Sequence, residues 1–168
     1  MKIKTIKVGY LQANCYILIN QKEAIIIDPG DEYEKIKEEL EGLTPQAILI
    51  THHHLDHIGA LKKFKNIKII DNEKNKEYKI GNFKFQVIET KGHTEDSISF
   101  YFKDEKIMFT GDFIFKGTIG RTDLPTGNIN EMNKSLNKLK KYPVDTKIYP
   151  GHGEKTTLKE EIENNPFL

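Results

Sequence analysis

Thr51-His52-His53-His54-Leu55-Asp56-His57 decides how this chain is read. Taken as His-x-His-x-Asp-His, it packs four metal-ligating side chains into six positions. Imidazole nitrogens and a carboxylate suit zinc or ferrous iron. Upstream, Gln46-Ala47-Ile48-Leu49-Ile50 reads as a short buried strand; downstream, Ile58-Gly59-Ala60-Leu61 opens a helical pattern from about Ile58 to Phe64. The ligands are therefore expected on the loop that leaves the C-terminal end of a strand, a common place for a site in an α/β protein. His53 is the odd member. In an extended loop its side chain points away from its neighbours, which makes it a supporting or surface residue.

Working outward, 168 residues are enough for one domain with a real core. Lys and Arg total 26 against 25 Asp and Glu, so no basic stripe argues for nucleic acid. No apolar run is long enough to span a membrane. The N-terminal stretch Met1 to Val8 alternates basic and apolar residues, a strand pattern and not an export signal. The single cysteine, Cys15, lies in a strand-like run and reads as a buried inert thiol, which suits a reducing cytoplasm.

Apolar runs predict strands at Ile3 to Val8, Tyr16 to Ile19, Ala24 to Ile27, Ala47 to Ile50, Ile67 to Ile70, Tyr78 to Ile80, Phe83 to Ile88, Ile98 to Phe102, Ile107 to Phe109 and Ile148 to Tyr149. Asp28-Pro29-Gly30 breaks the third strand, and Asp31 is placed to cap a helix bearing Tyr33, Ile36 and Leu40. Asp71 to Glu77 read as a polar loop. Met132, Leu136 and Leu139 mark an amphipathic helix, and a last helix is expected from about Glu154 to before Pro166. Helices alternating with strands in two mixed halves predict an α/β fold, an αββα sandwich.

Four strand ends in this pattern carry His52, His54, Asp56 and His57, then His93, then Asp112, then His152. Seven ligands are too many for one tetrahedral metal and fit two. Two metals about 3.5–4 Å apart need a bridge, and a carboxylate such as Asp112 bridges where an imidazole cannot; water bound there has its pKa lowered towards about 7. Spacing leaves the sharing of ligands between the two metals open.

The set His-x-His-x-Asp-His, Gly92-His93-Thr94, Thr110-Gly111-Asp112 and Gly151-His152-Gly153 resembles the metallo-β-lactamase fold superfamily across almost the whole chain. Phe109-Thr110-Gly111-Asp112-Phe113-Ile114-Phe115-Lys116-Gly117-Thr118-Ile119-Gly120-Arg121-Thr122-Asp123-Leu124-Pro125 is similar to its glyoxalase II-like, hydroxyacylglutathione hydrolase branch, as is the ending Asn165-Pro166-Phe167-Leu168. The resemblance implies that His52, His54 and His93 hold one divalent ion, that Asp56, His57 and His152 hold another, and that Asp112 bridges them. Zinc is the expected metal, with iron or manganese as alternatives. It implies thioester hydrolysis by a metal-bridging hydroxide, with Asp56 and Asp112 as the carboxylates of the catalytic centre. Glyoxalase II carries a further helical glutathione-binding domain; this chain is expected to lack it, which leaves the carrier thiol open. The expected partner is a small-molecule thioester, with no nucleic acid or membrane, for a monomer or homodimer.

Arg121 stands alone among lysines, so its planar fork has a purpose: a pair with Asp123 that fixes the loop, or a contact to a substrate carboxylate. Lys116 has the same two readings, solvation or substrate contact; Tyr101 and Tyr149 read as core. The rival activity is a mononuclear iron persulfide dioxygenase, which resembles this chain in the Gly-Arg-Thr-Asp segment and would use His52, His93 and Asp112. A β-lactamase, a nuclease and a non-catalytic binding protein fit the sequence less well.

Overall fold

The first strands form because alternating or continuous β-branched residues have two faces to bury. A computed structural model describes residues 1–72 and 76–168. β1 (Lys2–Val8) pairs antiparallel with β2 (Ala13–Asn20), and β2 with β3 (Glu23–Ile27). α1 (Tyr33–Glu38) then returns the chain to β4 (Thr44–Leu49), which lies parallel to β3 and to β5 (Lys68–Ile70). These five strands form the first sheet, in the order β1-β2-β3-β4-β5.

The second sheet has β6 (Glu77–Ile80), β7 (Phe83–Glu89), β8 (Ile98–Phe102) and β9 (Ile107–Gly111) in antiparallel succession. β12 (Lys147–Pro150) adds in parallel to β9, and β13 (Thr156–Thr157) closes the order β13-β12-β9-β8-β7-β6. Between β9 and β12 come a small hairpin, β10 (Ile114–Phe115) with β11 (Thr118–Ile119), and α3 (Ile129–Leu139); α4 (Leu158–Asn164) follows β13.

The buried residues sort into three layers. Leu18, Ile25, Leu49, Phe85, Phe100 and Phe109 fill the space between the two sheets. Cys15, Ile26, Ile36 and Ile48 pack the outer face of the first sheet against α1. Met108, Met132, Leu136, Ile148 and Leu158 pack the outer face of the second against α3 and α4. This is the αββα sandwich that the helix and strand pattern predicts.

The topology brings the predicted strand ends together. β3 and β4 run parallel and finish side by side, Ile27 against Leu49. β9 and β12 do the same, Pro150 against Gly111. β7 is antiparallel to β8, which is antiparallel to β9, so β7 also ends on that edge. Bonds across the edge join the sheets: Ile98 N–H donates to the Thr51 carbonyl at 2.9 Å and Asn14 N–H to the Gly151 carbonyl at 2.7 Å, while within the second sheet Gly151 N–H donates to the Gly111 carbonyl at 2.8 Å.

Several local expectations are corrected. The helix after the histidines begins inside the motif: α2 (Leu55–Ile58) contains Asp56 and His57, and a 3-10 turn follows at Leu61–Lys63. Asp31 does not cap α1; Glu32 is the cap residue, in the left-handed region, and Asp31 instead accepts the Glu32 N–H at 2.7 Å. The last helix starts later than Glu154 because Thr156 and Thr157 pair with β12 first, and the Thr157 hydroxyl then caps α4 through the Glu160 N–H. The β10–β11 hairpin has no counterpart in the predicted strands. In the polar loop Asp71 to Glu77, residues 73–75 lie outside the described residues.

Candidate metal centre

All seven predicted ligands meet at this edge. The extended segment after β4 presents His52 and His54 on one side. His52 Nε2 lies 3.2 Å from His54 Nδ1, and His93 Nε2 lies 3.0 Å from the same atom. The single turn of α2 turns Asp56 and His57 towards His152. His152 Nε2 is 3.1 Å from Asp56 Oδ2, and His57 Nε2 is 3.6 Å from it. Asp112 sits between the two trios: its Oδ1 faces His57 Nε2 at 3.4 Å, and its Oδ2 faces His93 at 3.7 Å and His152 at 3.6 Å. No gap separates the two groups. The His52 and His57 rings are 4.2 Å apart, and His52, His57 and Asp112 also present ligand atoms within 4.8 Å of one another.

Two atoms in this arrangement are orphans. His57 Nε2 and Asp112 Oδ1 are buried and lack a hydrogen-bond partner, although they face each other. Buried polar atoms are ordinarily satisfied, so a facing lone-pair pair is a place for a cation. The donor set agrees: imidazoles and carboxylates, with lone pairs converging and no lysine or arginine among them. His52, His54 and His93 as one trio, and Asp56, His57 and His152 as another, can each hold a metal ion.

The charge state favours this. Burial and the surrounding imidazoles push His52 well below the ordinary histidine range, so it is neutral with a free lone pair. Burial and the neighbouring His93 lower His54 as well. Burial opposes charge on His57, yet the Asp112 and Asp28 carboxylates outweigh it and raise its pKa, so without an ion the ring favours a second proton at the point where their field would equally hold a metal cation in its place. Without an ion between them, the neighbouring His152 ring holds the Asp56 carboxyl down to about 2.

The sequence presents Asp28 only as a sheet breaker, and the structure gives it a larger part. It is 2% exposed and sits at φ +49°, a left-handed conformation that aspartate tolerates better than most residues. That turn aims the carboxylate back at the metal loop. Oδ1 accepts the Thr51 N–H at 2.8 Å, and Oδ2 accepts the Thr51 hydroxyl at 2.6 Å and His57 Nδ1 at 2.9 Å. A proton of His57 is thereby held on Nδ1, which makes Nε2 the nitrogen that can give its lone pair to a metal. His93 Nδ1 is held likewise by the Arg121 carbonyl at 2.8 Å, and His152 Nδ1 by the Leu11 carbonyl at 3.1 Å. Asn14 and Tyr16 brace the His152 loop through the Pro150 carbonyl, at 2.9 and 2.6 Å.

Arg121 forms the bidentate pair with Asp123, at 2.8 and 2.7 Å, on the surface. Lys116 is paired with Glu154 at 3.0 Å, also on the surface. Cys15 is fully buried, and burial pushes its thiol pKa up. Tyr101 is core; Tyr149 is partly buried and packs its ring on Tyr16 and Phe109. Among the described residues, no helix is long and apolar enough to cross a membrane.

Two β-sheets packed face to face, with paired His/Asp trios along one edge, define a metallo-hydrolase type of architecture. The chain belongs to the metallo-β-lactamase superfamily, whose sequence pattern it matches over residues 8–79 and 68–152. It is 36% identical to the probable metallo-hydrolase YqgX of Bacillus subtilis, over 100% of this chain and 98% of that one. It is 34% identical to the hydroxyacylglutathione hydrolase GloC of Haemophilus influenzae, with the same coverage of 100% and 98%. Among solved structures it is similar to the BLEG-1 B3 metallo-β-lactamase, with TM-score 0.93, 34% identity and 99% of both chains covered. It is also similar to TTHA1623 in a di-iron-bound form, with TM-score 0.89, 31% identity and 98% and 100% coverage.

Proposed function

We propose that this chain is a dinuclear metal-dependent hydrolase of thioesters, with S-2-hydroxyacyl thiols as the leading substrate class. The observation that carries the reading is the facing orphan pair, His57 Nε2 and Asp112 Oδ1, set between two ligand trios. Asp112 turns one oxygen to His57 and the other to His93 and His152, the disposition of a bridging carboxylate. His52, His54 and His93 hold the first ion in this reading, and Asp56, His57 and His152 the second. Divalent ions in such a pair of sites supply Lewis acidity and a water of lowered pKa. The di-iron form of TTHA1623 supports two ions in a related site, and the GloC relative supports an acyl-thiol substrate.

The protein's own groups do the rest. Asp28, the Arg121 carbonyl and the Leu11 carbonyl keep three imidazoles in the tautomer that presents Nε2. Asp56 and Asp112 would bring negative charge to the two ions. An open cleft of about 470 Å³, lined by His54, Thr94, Leu124, Pro125 and Thr126, lies beside the first trio and can accept the acyl thiol. A thiol of pKa about 8.5 leaves as thiolate without a strong acid. A buried, inert Cys15 accords with a reducing cytoplasm as the compartment.

The test combines elemental mass spectrometry with a thioester screen over glutathione, coenzyme A and smaller thiols. Two equivalents of metal per chain and thiol release are expected. One equivalent of iron, with oxygen uptake on a persulfide and no thioester turnover, would replace this reading by the dioxygenase.

A further inference from the structure

His53 alternates out of the ligand set and is held from outside by two carboxylates. Asp96 Oδ2 accepts the His53 N–H at 3.1 Å and meets its Nδ1 at 2.5 Å, while Asp71 Oδ2 lies 3.3 Å from Nε2. The backbone between His52 and His54 is thus fixed at its midpoint by a residue 43 positions later. Asp96 itself belongs to the loop that carries His93. That loop is tightened by the Thr94 and Ser97 hydroxyls, 2.7 Å apart, and by the Thr94 N–H donating to Ser97 at 3.2 Å. His93 and Asp96 therefore move as one piece.

The geometry points to Asp96 as a positioning residue for the His52/His54/His93 trio: it clamps the loop bearing two of these ligands to the loop bearing the third. In an extended segment the side chains alternate, so pinning the outward residue sets the direction of both inward ones. The second trio has no such dependence. His57 is fixed by Asp28, and His152 by Leu11 and, through the Pro150 carbonyl, by Asn14. The bond from Ile98 N–H to the Thr51 carbonyl joins the same two loops only at their base. Asp96 thus acts on one ion and not the other. This rests on the two-ion reading above.

The experiment is a chelator-competition titration of metal-free protein with Zn²⁺ alone, in two backgrounds. H152A removes a ligand of the second trio and reports the first; H54A does the reverse. D96A is expected to weaken Zn²⁺ binding about tenfold in the H152A background, at the low end of what outer partners of metal ligands contribute because the clamp is half exposed. Binding in the H54A background should fall clearly less, within about twofold, because Asp96 touches none of Asp56, His57 and His152. D96N keeps an oxygen acceptor for the His53 N–H and should lose less than D96A. Unchanged affinity in the H152A background overturns the clamp, as does an equal loss in both backgrounds. So does a lowered melting temperature of the metal-free protein with affinities unmoved, the signature of a merely structural contact. Wild-type protein that binds no Zn²⁺ overturns both the clamp and the metal-site reading; wild type that binds two ions with D96A indifferent overturns the clamp alone.

Discussion

Replacing Asp28 by Asn tests whether the tautomer of His57 is set by the fold. Asp28 Oδ2 receives two donors, the Thr51 hydroxyl at 2.6 Å and His57 Nδ1 at 2.9 Å, in a site where His57 is 0% exposed. In D28N an NH2 replaces that oxygen, and Oδ1 still accepts the Thr51 N–H. The threonine hydroxyl can rotate to accept from the new donor. His57 can remain bonded only by accepting at Nδ1, which moves its proton to Nε2. That proton then faces Asp112 Oδ1, 3.4 Å away, and partly satisfies both orphan atoms. The metal-free fold should therefore lose little: hydrogen bonds to a charged acceptor are worth about 1.5–3 kcal/mol each, and a replacement is available for both. A net loss of about 2 kcal/mol corresponds to about 4–8 °C in melting temperature for a chain of this size. The second ion should lose far more, because a protonated Nε2 has no lone pair to give; about 10–100-fold in affinity is the usual effect of losing such an outer partner. The assay is a thermal melt of metal-free protein beside zinc competition in the H54A background. Wild-type zinc affinity in D28N would refute the tautomer argument. A melting loss well beyond 10 °C would show instead that the carboxylate's charge is structural.

Two other outcomes follow from the same edge and a third from the core behind the first sheet. Asp112→Ala removes the carboxylate that faces both trios, and elemental analysis should find the ions depleted and thioester turnover abolished; full metal content and turnover would sink the bridging role. Gly151→Ala places a Cβ 2.2 Å from Asp112 Oδ1 and 2.7 Å from His57 Cε1, so the loop or the ligands must shift, and zinc affinity should fall with little change in the core; a variant with wild-type affinity would show that the loop has slack. Cys15 is fully buried and its thiol is pushed up in pKa by that burial, so a thiol reagent at pH 8 should leave it unmodified in native protein and modify it in denaturant; rapid native labelling would place Cys15 outside the core.

The candidate ligands are legible because metal chemistry admits few residue types, and because apolar strands announce the loops that follow them. His52, His54, His93, Asp112 and His152 each stand at or just beyond the end of such a strand. The two sheets were legible for a related reason: runs such as Ala24 to Ile27 are buried on both faces and admit little besides β structure. What escaped is what the ligands lean on. Asp28 reads as part of an Asp-Pro-Gly turn, and nothing local says that its carboxylate folds back across 23 residues to Thr51 and 29 to His57. Asp96 reads as loop polarity. The sequence pattern puts the start of α2 too late because Asp56 and His57 look like loop ligands, whereas one helical turn is what swings them to the side opposite His54. The carbonyls of Leu11 and Arg121 carry no sequence signal at all, since every residue has a carbonyl. This last case separates two kinds of constraint at the site. Where a side chain such as Asp28 fixes an imidazole, substitution changes ligation directly. Where a backbone carbonyl does so, the side chain is free to vary provided the loop keeps its path, so Leu11→Ala, at a largely exposed position, should leave the second ion in place. Loss of that ion in L11A would mean that the Leu11 side chain, and not only its carbonyl, holds the loop under His152.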